Sequence, residues 1–526
     1  MGTLTISPKK NKSPLIVVSN RLPFVLIRNA EGNLKRKPSA GGLVTAVTPV
    51  VIECNGTWIG WTGLYDFKPD TPIPESDPSD KSPVAGLKSS QIVPVELEKE
   101  EFEEFYNGCC NGTFWPLFHS MPDSATFARK DWITYCRVNE KFANCVLDTL
   151  RQAIKKLDDA GDEDTVPMVW IHDYQLLTAG KTIREVCKSE NLRVKLGFFL
   201  HIPFPSWDIM KLLPWDKDVF DGLLAYDVVG FHTIDYCSNF MECCDRQPNC
   251  IVDRSNMMVF VDDHTVVVRP VPIGIPFHDF EMLSKKTPPL LNVSGDSKVI
   301  LGVDRLDYTK GIVNRILAYE KFLERYPGNK GKVVFIQIAV PSRTDIKVYQ
   351  TLKDEVEQLI GRIIGRFSTT SWSPIRYIYG GLSQEELACL YRYSSVALVT
   401  PLRDGMNLVA KEFVACQTGE PGVLVLSPFT GAAEKMTEAL LANPYELDLM
   451  ANAIHTALEM PLDERQLRMT QLRHREQIWD VNYWMWSFIS LLETKEQPKK
   501  KFFSRRNIER TRWRQVRVSI GLGKQN

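Results

Sequence analysis

Six places in this sequence set ionic side chains at the end of a short apolar run. Arg21 follows Leu15–Ser19, His172 and Asp173 follow 168–171, and His201 follows Val194–Leu200. Asp304 and Arg305 follow Lys298–Val303, Arg343 follows Val333–Ala339, and Arg403 and Asp404 follow Val396–Thr400. If these runs are parallel strands of open α/β sheets, ligands bind beyond their carboxyl ends, where such residues would meet them. Any one of them could equally be a helix cap or a surface ion pair. The set as a whole points to a site.

Three segments sharpen the chemistry. In Asp304-Arg305-Leu306-Asp307-Tyr308-Thr309-Lys310-Gly311, Arg305 and Lys310 sit at a strand-to-helix turn. There a helix N-terminus adds partial positive charge, which suits an anionic leaving group such as a nucleotide diphosphate. Arginine offers a fork of donors and lysine a compact charge, although a solvated cap would look the same. In Asp404-Gly405-Met406-Asn407-Leu408-Val409-Ala410-Lys411-Glu412, Gly405 lets backbone amides approach a ligand closely. Glu412 then falls inside the following helix, as a partner for sugar hydroxyls or as a plain surface carboxylate. In Ser39-Ala40-Gly41-Gly42-Leu43, Gly41 and Gly42 permit a tight loop over a phosphate or sugar, or simply a turn. No Gly-Lys-Ser/Thr follows, and the Gly-x-Gly-x-x-Gly fingerprint is absent. No Asp-x-Asp with a metal-ligand context stands out, so neither metal nor cofactor is expected, and protein cations take that place.

The elements that must position these residues alternate. Strands are predicted over the runs named above and over Thr57–Trp61, Asp227–Phe231, Thr265–Val271, Arg376–Tyr379 and Gly422–Ser427. Helices are predicted over Glu140–Lys156, Val313–Tyr326, Asp345–Ile364 and Gln384–Tyr393. Several strands are apolar without alternation, as in parallel sheets covered on both faces. The fold class is therefore α/β, doubly wound. At 526 residues the chain is too long for one core, and two domains are expected. A break at Pro270-Val271-Pro272-Ile273-Gly274-Ile275-Pro276, followed by the polar stretch Lys285–Ser297, marks the junction. Asp66–Ser90, with five prolines, reads as an exposed loop. From Lys499 on, ten Lys or Arg against one acid form a basic tail.

Composition narrows the class further. Lys plus Arg and Asp plus Glu both count 64, so nothing draws the whole chain to nucleic acid or membrane. The polar N-terminus lacks a signal-peptide core, and no run is long enough to span a bilayer. Twelve cysteines without metal spacing read as reduced thiols, which places the protein in the cytoplasm.

Taken together, Val18-Ser19-Asn20-Arg21-Leu22-Pro23, Ser39–Leu43, Trp58-Ile59-Gly60-Trp61, Trp115-Pro116-Leu117-Phe118-His119, Trp170-Ile171-His172-Asp173-Tyr174, Phe199–Pro205, Arg305–Gly311 and Thr400–Glu412 are specific. On these segments the chain resembles the trehalose-6-phosphate synthases, retaining glycosyltransferases of the double-Rossmann GT-B type. The cysteine-rich middle, proline loop and basic tail look like eukaryotic, fungal-type variation. The resemblance implies transfer of glucose from UDP-glucose to glucose 6-phosphate with retention.

By position, it implies that Arg305 and Lys310 hold the UDP diphosphate. Gly41, Gly42, Leu382, Asp404, Gly405, Met406, Asn407, Leu408, Val409 and Glu412 bind the rest of the donor. His201 contacts the transferred glucose, and Arg21, Tyr106, Trp115, Asp173 and Arg343 take glucose 6-phosphate. Asp173, His201, Arg305, Lys310 and Asp404 form the catalytic group. The implied units are a flexible 1–14, an acceptor domain 15–284, a nucleotide-sugar domain 285–480, a helix 481–498 crossing back to the first domain, and the tail 499–526. The resemblance leaves room for a homo-oligomer and for a complex with a trehalose-phosphate phosphatase or regulatory subunits. The alternative reading is a non-catalytic subunit that senses sugar phosphate.

Overall fold

The computed structural model describes residues 13–38, 42–68, 71–80, 82–288 and 297–494. The predicted N-terminal arm up to residue 12, most of the first glycine loop (Ser39–Gly41) and the basic tail lie outside the described residues.

The first half of the chain contributes β1 (Leu15–Arg21), β2 (Phe24–Arg28), β3 (Leu34–Pro38), β4 (Thr57–Trp61), β5 (Ile92–Val95), β6 (Met168–His172), β7 (Lys195–Phe199), β8 (Val228–Phe231), β9 (Cys250–Asp253), β10 (Met258–Val261) and β11 (His264–Pro270). Nine of them form one sheet in the order β5-β4-β1-β6-β7-β8-β11-β10-β9, and β2 and β3 pair as a separate hairpin. All pairings from β5 to β11 are parallel, while β10 and β9 complete the edge antiparallel. The second half adds β12 (Lys298–Arg305), β13 (Val333–Val340), β14 (Ile375–Tyr379), β15 (Val396–Val399), β16 (Val423–Leu426) and β17 (Leu440–Leu441). These form a wholly parallel sheet in the order β14-β13-β12-β15-β16-β17.

Burial explains why β1 reads as a continuous apolar run. Leu15 and Val17 enter one core, and Ile16 and Val18 enter the core on the opposite face. A strand covered on both sides has no polar face to alternate with. The helices are specified differently. Arg129–Asp159 buries Trp132, Tyr135, Val138, Phe142, Val146, Leu150 and Ile154, spaced by three or four residues along one stripe. Gln384–Tyr393 begins at a capping box, in which the Ser383 hydroxyl accepts the Glu386 amide and the Glu386 carboxylate accepts the Ser383 amide.

The helix Val481–Glu493 leaves the second half and packs on the first sheet. Trp484 lies 5.0 Å from the Trp170 ring, and Phe488 stacks on Trp170 at 4.6 Å. Asp480 caps the helix by accepting the Tyr483 amide at 2.8 Å. Burying Trp484, Met485, Phe488, Ile489 and Leu492 stabilises this contact by roughly 1.5–3 kcal/mol each.

One sequence expectation needs correction, and one element was not foreseen. The proline-rich stretch 66–90 is irregular, as expected, but it is not simply exposed. Phe67, Val84 and Leu87 are buried and anchor it, because apolar residues spaced far apart give no periodic signal. Glu103–Phe114 forms a π-helical stretch that the sequence pattern does not announce. Such segments are rare and favour functional sites, and this one carries Tyr106 and leads directly into Trp115.

Candidate active site

In both sheets the strand order reverses beside the first strand of the unit, between β1 and β6 and between β12 and β15. Side chains beyond those points meet in a crevice. The first crevice is lined by Arg21 from the end of β1 and by His172 and Asp173 from β6. The second is lined by Arg305 at the end of β12, by Lys310 in the turn after it and by Asp404 after β15.

The two crevices touch. The Trp115 ring, from the first half, lies 4.1 Å from the Arg343 guanidinium carbon and 5.6 Å from that of Arg305. The Tyr236 hydroxyl donates to the Asp404 carbonyl at 3.0 Å. Gly405 lies against the His201 carbonyl so closely that a β-carbon there would overlap it. Gly405 thus allows a close backbone approach to the other half of the chain.

On the second-sheet side Lys310, Arg315 and Arg343 are already paired with carboxylates. Lys310 Nζ donates to Asp404 Oδ2 at 2.6 Å, with side chains 10% and 13% exposed. Asn407 caps the helix Leu408–Cys416 by accepting the Ala410 amide, and donates to the same Asp404 oxygen at 3.1 Å. Burial pushes the Asp404 carboxyl up, but Lys310, His119 and Asn407 outweigh it and hold its pKa below the ordinary value. Beneath the turn, Arg315 donates to Asp304 at 2.5 Å, to Gln337 at 3.1 Å and to Thr400 at 2.9 Å. Gly311 closes the turn at φ 63°, where a side chain would be strained and would also meet the Thr400 carbonyl. Glu412 is engaged by the Tyr391 hydroxyl at 2.9 Å rather than by this network, and burial raises its pKa. Leu382 is half-buried in the turn after β14, and Met406 is buried. Leu408 and Val409 occupy the first turn of their helix, and Gly42 begins the helix Gly42–Glu53.

The first-sheet side carries less paired charge. Asp173 adopts φ 75° and accepts the His201 amide at 3.2 Å. Burial lifts its pKa to about 6 against the pull of the Tyr174 and His201 amides, Arg305 and Arg343. Burial drives His201 down to about 3 and His119 to about 4, and takes His172 and His232 well below the ordinary value. His172 Nδ1 and His201 Nε2 lie 3.2 Å apart. Arg21 rests among aromatic rings, 5.2, 5.8 and 5.6 Å from the centroids of Trp61, Phe102 and Tyr106.

The crevice also stores backbone strain. Asp173, Arg343 and Asn407 all have positive φ, which side-chain-bearing residues avoid unless their surroundings impose it. Sequence reasoning missed Asp307, Tyr349, Tyr174, Tyr236 and the buried histidines 119 and 232. Only Asp307 carried a readable signal, an Asp two residues before a Thr at a strand-to-helix turn. The others reach the crevice through packing.

Two Rossmann-type sheets whose switch points face each other across a polar crevice define a GT-B glycosyltransferase. Residues 13–494 match glycosyltransferase family 20, and the chain belongs to that family. Among its relatives, the alpha,alpha-trehalose-phosphate synthase [UDP-forming] A of Dictyostelium discoideum is 38% identical over 482 residues, 89% of this chain and 62% of its own. The bifunctional trehalose-6-phosphate synthase/phosphatase of Thermoproteus tenax is 38% identical over 507 residues, 92% of this chain and 65% of its own. The chain thus spans less than two thirds of either relative.

Solved structures are matched over nearly their full length. The E. coli enzyme bound with UDP-2-fluoro glucose has a TM-score of 0.79 at 33% identity, covering 92% of this chain and 99% of its own. The Burkholderia xenovorans synthase in complex with glucose-6-phosphate has a TM-score of 0.79 at 33% identity, covering 92% and 100%. No helix among the described residues is long and apolar enough to cross a membrane.

Proposed function

We propose that the chain transfers glucose from UDP-glucose to glucose 6-phosphate with retention, giving α,α-trehalose 6-phosphate and UDP. The observation that carries this reading is the contact of Arg305 and Arg343 of the second half with the Trp115 ring of the first, beside the Lys310–Asp404 pair. Relatives solved with a UDP-glucose analogue and with glucose 6-phosphate supply the substrate classes.

In this reading Arg305 and Lys310 hold the UDP diphosphate, helped by the amides that open the helix Leu408–Cys416. Glu412 takes the ribose, Asp404 and His201 face the transferred glucose, and Leu382 lies beside the base. Gly42 belongs to the donor side, as does Gly41, which lies outside the described residues. Arg21, Tyr106, Trp115, Asp173 and Arg343 hold glucose 6-phosphate. Forked guanidinium donors match phosphate oxygens. His201 titrates far below neutrality, so it is uncharged and acts as a hydrogen-bond partner rather than a base.

The acceptor hydroxyl attacks the donor anomeric carbon on the face that UDP leaves. The carbon–oxygen bond to UDP breaks, the new glycosidic bond forms, and the hydroxyl proton passes to the departing phosphate. The protein positions two sugars and stabilises the charge growing on UDP, and no enzyme nucleophile takes part. Twelve unpaired cysteines fit a reducing compartment such as the cytosol. A separate phosphatase would consume the product, as the archaeal relative's name joins both activities in one chain. Self-association of the synthase is compatible with this arrangement.

The test is direct. Purified protein is incubated with UDP-glucose and a panel of sugars and sugar phosphates, and the products are identified by mass spectrometry. A disaccharide phosphate formed only with glucose 6-phosphate is expected. UDP-glucose left intact with every acceptor would leave the sugar-phosphate-sensing alternative in its place.

A further inference from the structure

Asp307 stands between the two subsites just described and has no part in either. It lies in the turn between β12 and the helix Ile312–Arg325, and its side chain has 0% exposure. Its Oδ1 accepts the Thr309 amide at 3.0 Å and the Thr309 hydroxyl at 2.8 Å. Its Oδ2 accepts Arg343 Nη1 at 3.0 Å and the Tyr349 hydroxyl at 3.4 Å. Arg343 also reaches the Tyr349 hydroxyl, and its Nη2 reaches the Tyr174 hydroxyl of the first half at 3.4 Å.

The two oxygens therefore serve different ends. The first fixes the single turn Tyr308–Lys310, which delivers Lys310 to Asp404. The second fixes the guanidinium that lies over Trp115, on a residue whose backbone has φ 49°. Burying a carboxylate costs several kcal/mol unless it is fully hydrogen-bonded and paired. Here burial is outweighed by Arg343, Arg305, Lys310 and the Thr309 amide, and the group stays ionised. A β-turn needs no buried charge, and Thr309 alone would be served by a neutral Asn. The charge is accounted for by Arg343, and the position by both.

We infer that Asp307 is a positioning residue that couples the two substrate subsites, holding the Lys310 turn with one carboxylate oxygen and the Arg343 guanidinium with the other. The inference rests on the reading in which Lys310 meets the donor diphosphate and Arg343 the acceptor phosphate. Binding at one subsite then sets the cation of the other, and the coupling is reciprocal.

Asp307→Asn separates the two arms. It keeps an oxygen for the Thr309 amide but turns an amide NH₂ toward Arg343. Calorimetry with UDP, with and without glucose 6-phosphate, is combined with steady-state kinetics. In the native chain UDP should bind more tightly when glucose 6-phosphate is present. In Asp307→Asn that gain should collapse toward one-fold, and KM for glucose 6-phosphate should rise about 10-fold or more. Affinity for UDP alone should stay within about 3-fold, because the Thr309 arm survives. Tyr349→Phe removes one donor from the same oxygen and should shift the acceptor KM in the same direction by less, which keeps the test open if Asp307→Asn folds poorly.

Synergy absent from the native chain, or undiminished in both variants, would overturn the inference. Equal loss of UDP and acceptor binding together with a lowered Tm would do the same, as a sign of a purely structural role. Arg343→Ala is the control for the underlying reading. If it harms glucose and glucose 6-phosphate equally, that reading fails. If it is selective while the Asp307 variant is not, only the coupling fails.

Discussion

On the second-sheet side of the crevice, three buried cations already have carboxylates of their own. Lys310 meets Asp404, Arg343 meets Asp307 and Arg315 meets Asp304. On the first-sheet side the same need is met by suppressing charge. Four histidines are kept neutral by burial, Asp173 is pushed up to about 6, and Arg21 lies on aromatic rings. Under the proposed function the second face meets an anion that arrives with high charge density and leaves with more, so its donors must be aimed beforehand. Under the proposed function the first face, Arg21 apart, offers neutral groups in a dry wall to sugar hydroxyls, without competing salt bridges. The difference implies that the two faces will fail differently when perturbed.

The largest effect expected is on turnover. Arg305→Ala and Lys310→Ala should each lower kcat by about 10²-fold or more. Only the second should also destabilise the fold, because it strands Asp404 as a buried unpaired carboxylate, a loss of about 3–5 kcal/mol. Arg305 ends β12 exposed, and its contact is the Trp115 ring. Denaturant titration beside kinetics checks both, and equal stability losses would erase the proposed contrast.

Acceptor choice comes next. Charge-assisted hydrogen bonds contribute roughly 1.5–3 kcal/mol each, so Arg343→Ala should cost about 10²-fold in kcat/KM with glucose 6-phosphate and much less with glucose. Equal losses would move Arg343 from the acceptor to the fold.

Acid should act on the first face. The folded pKa values of His201 and His119, about 3 and about 4, lie below the unfolded value near 6.5. Between those limits the unfolded chain binds more protons, so stability falls as pH drops from about 6.5. Asp173 works in the opposite sense. Its folded pKa of about 6 lies above the unfolded value near 3.9, so its contribution is present below pH 4 and lost as pH rises through 6. Four histidines outweigh one carboxylate. Acidification to pH 5 should raise hydrogen exchange in β6–β8 before β12–β16. His201→Asn should flatten the stability profile by up to about 1.4 kcal/mol per pH unit. Uniform opening of both sheets would sink the comparison.

The smallest effect is expected from removing residues 499–526, which the family match does not include. A truncated chain should keep kcat/KM within about 2-fold, since the segment is basic and poor in periodic apolar residues. A larger loss would give the basic segment a structural role.

Much of this was legible in the sequence, for identifiable reasons. Unbroken apolar runs such as Met168–His172 and Val333–Ala339 marked buried parallel strands, and Asp173, after the first of them, fell at a switch point. The Gln384–Tyr393 helix was readable from its amphipathic pattern, and its Ser-x-x-Glu cap agrees with that. The β2–β3 hairpin was not, because Leu34–Pro38 has one apolar residue followed by Lys35, Arg36, Lys37 and Pro38 and so shows no strand alternation. The partners of the site were least visible. Sequence position brings Lys310 to a turn, but that it meets Asp404 depends on the register of β12 against β15. Tyr349 and Tyr236 reach the crevice from the middle of the chain with no local signature.

The helix Val481–Glu493 has a consequence for how the protein is made. It covers Trp170 and Phe199, side chains of the first sheet, yet it is separated from them by the whole second half. During synthesis the first sheet can pair its strands early, but that face stays bare until residue 493 has emerged. The nascent chain therefore carries an apolar surface through most of its translation, the condition in which partly folded proteins aggregate or engage chaperones. Arrested chains ending near residue 480 should be captured by a holdase, and chains extended past residue 493 should be released.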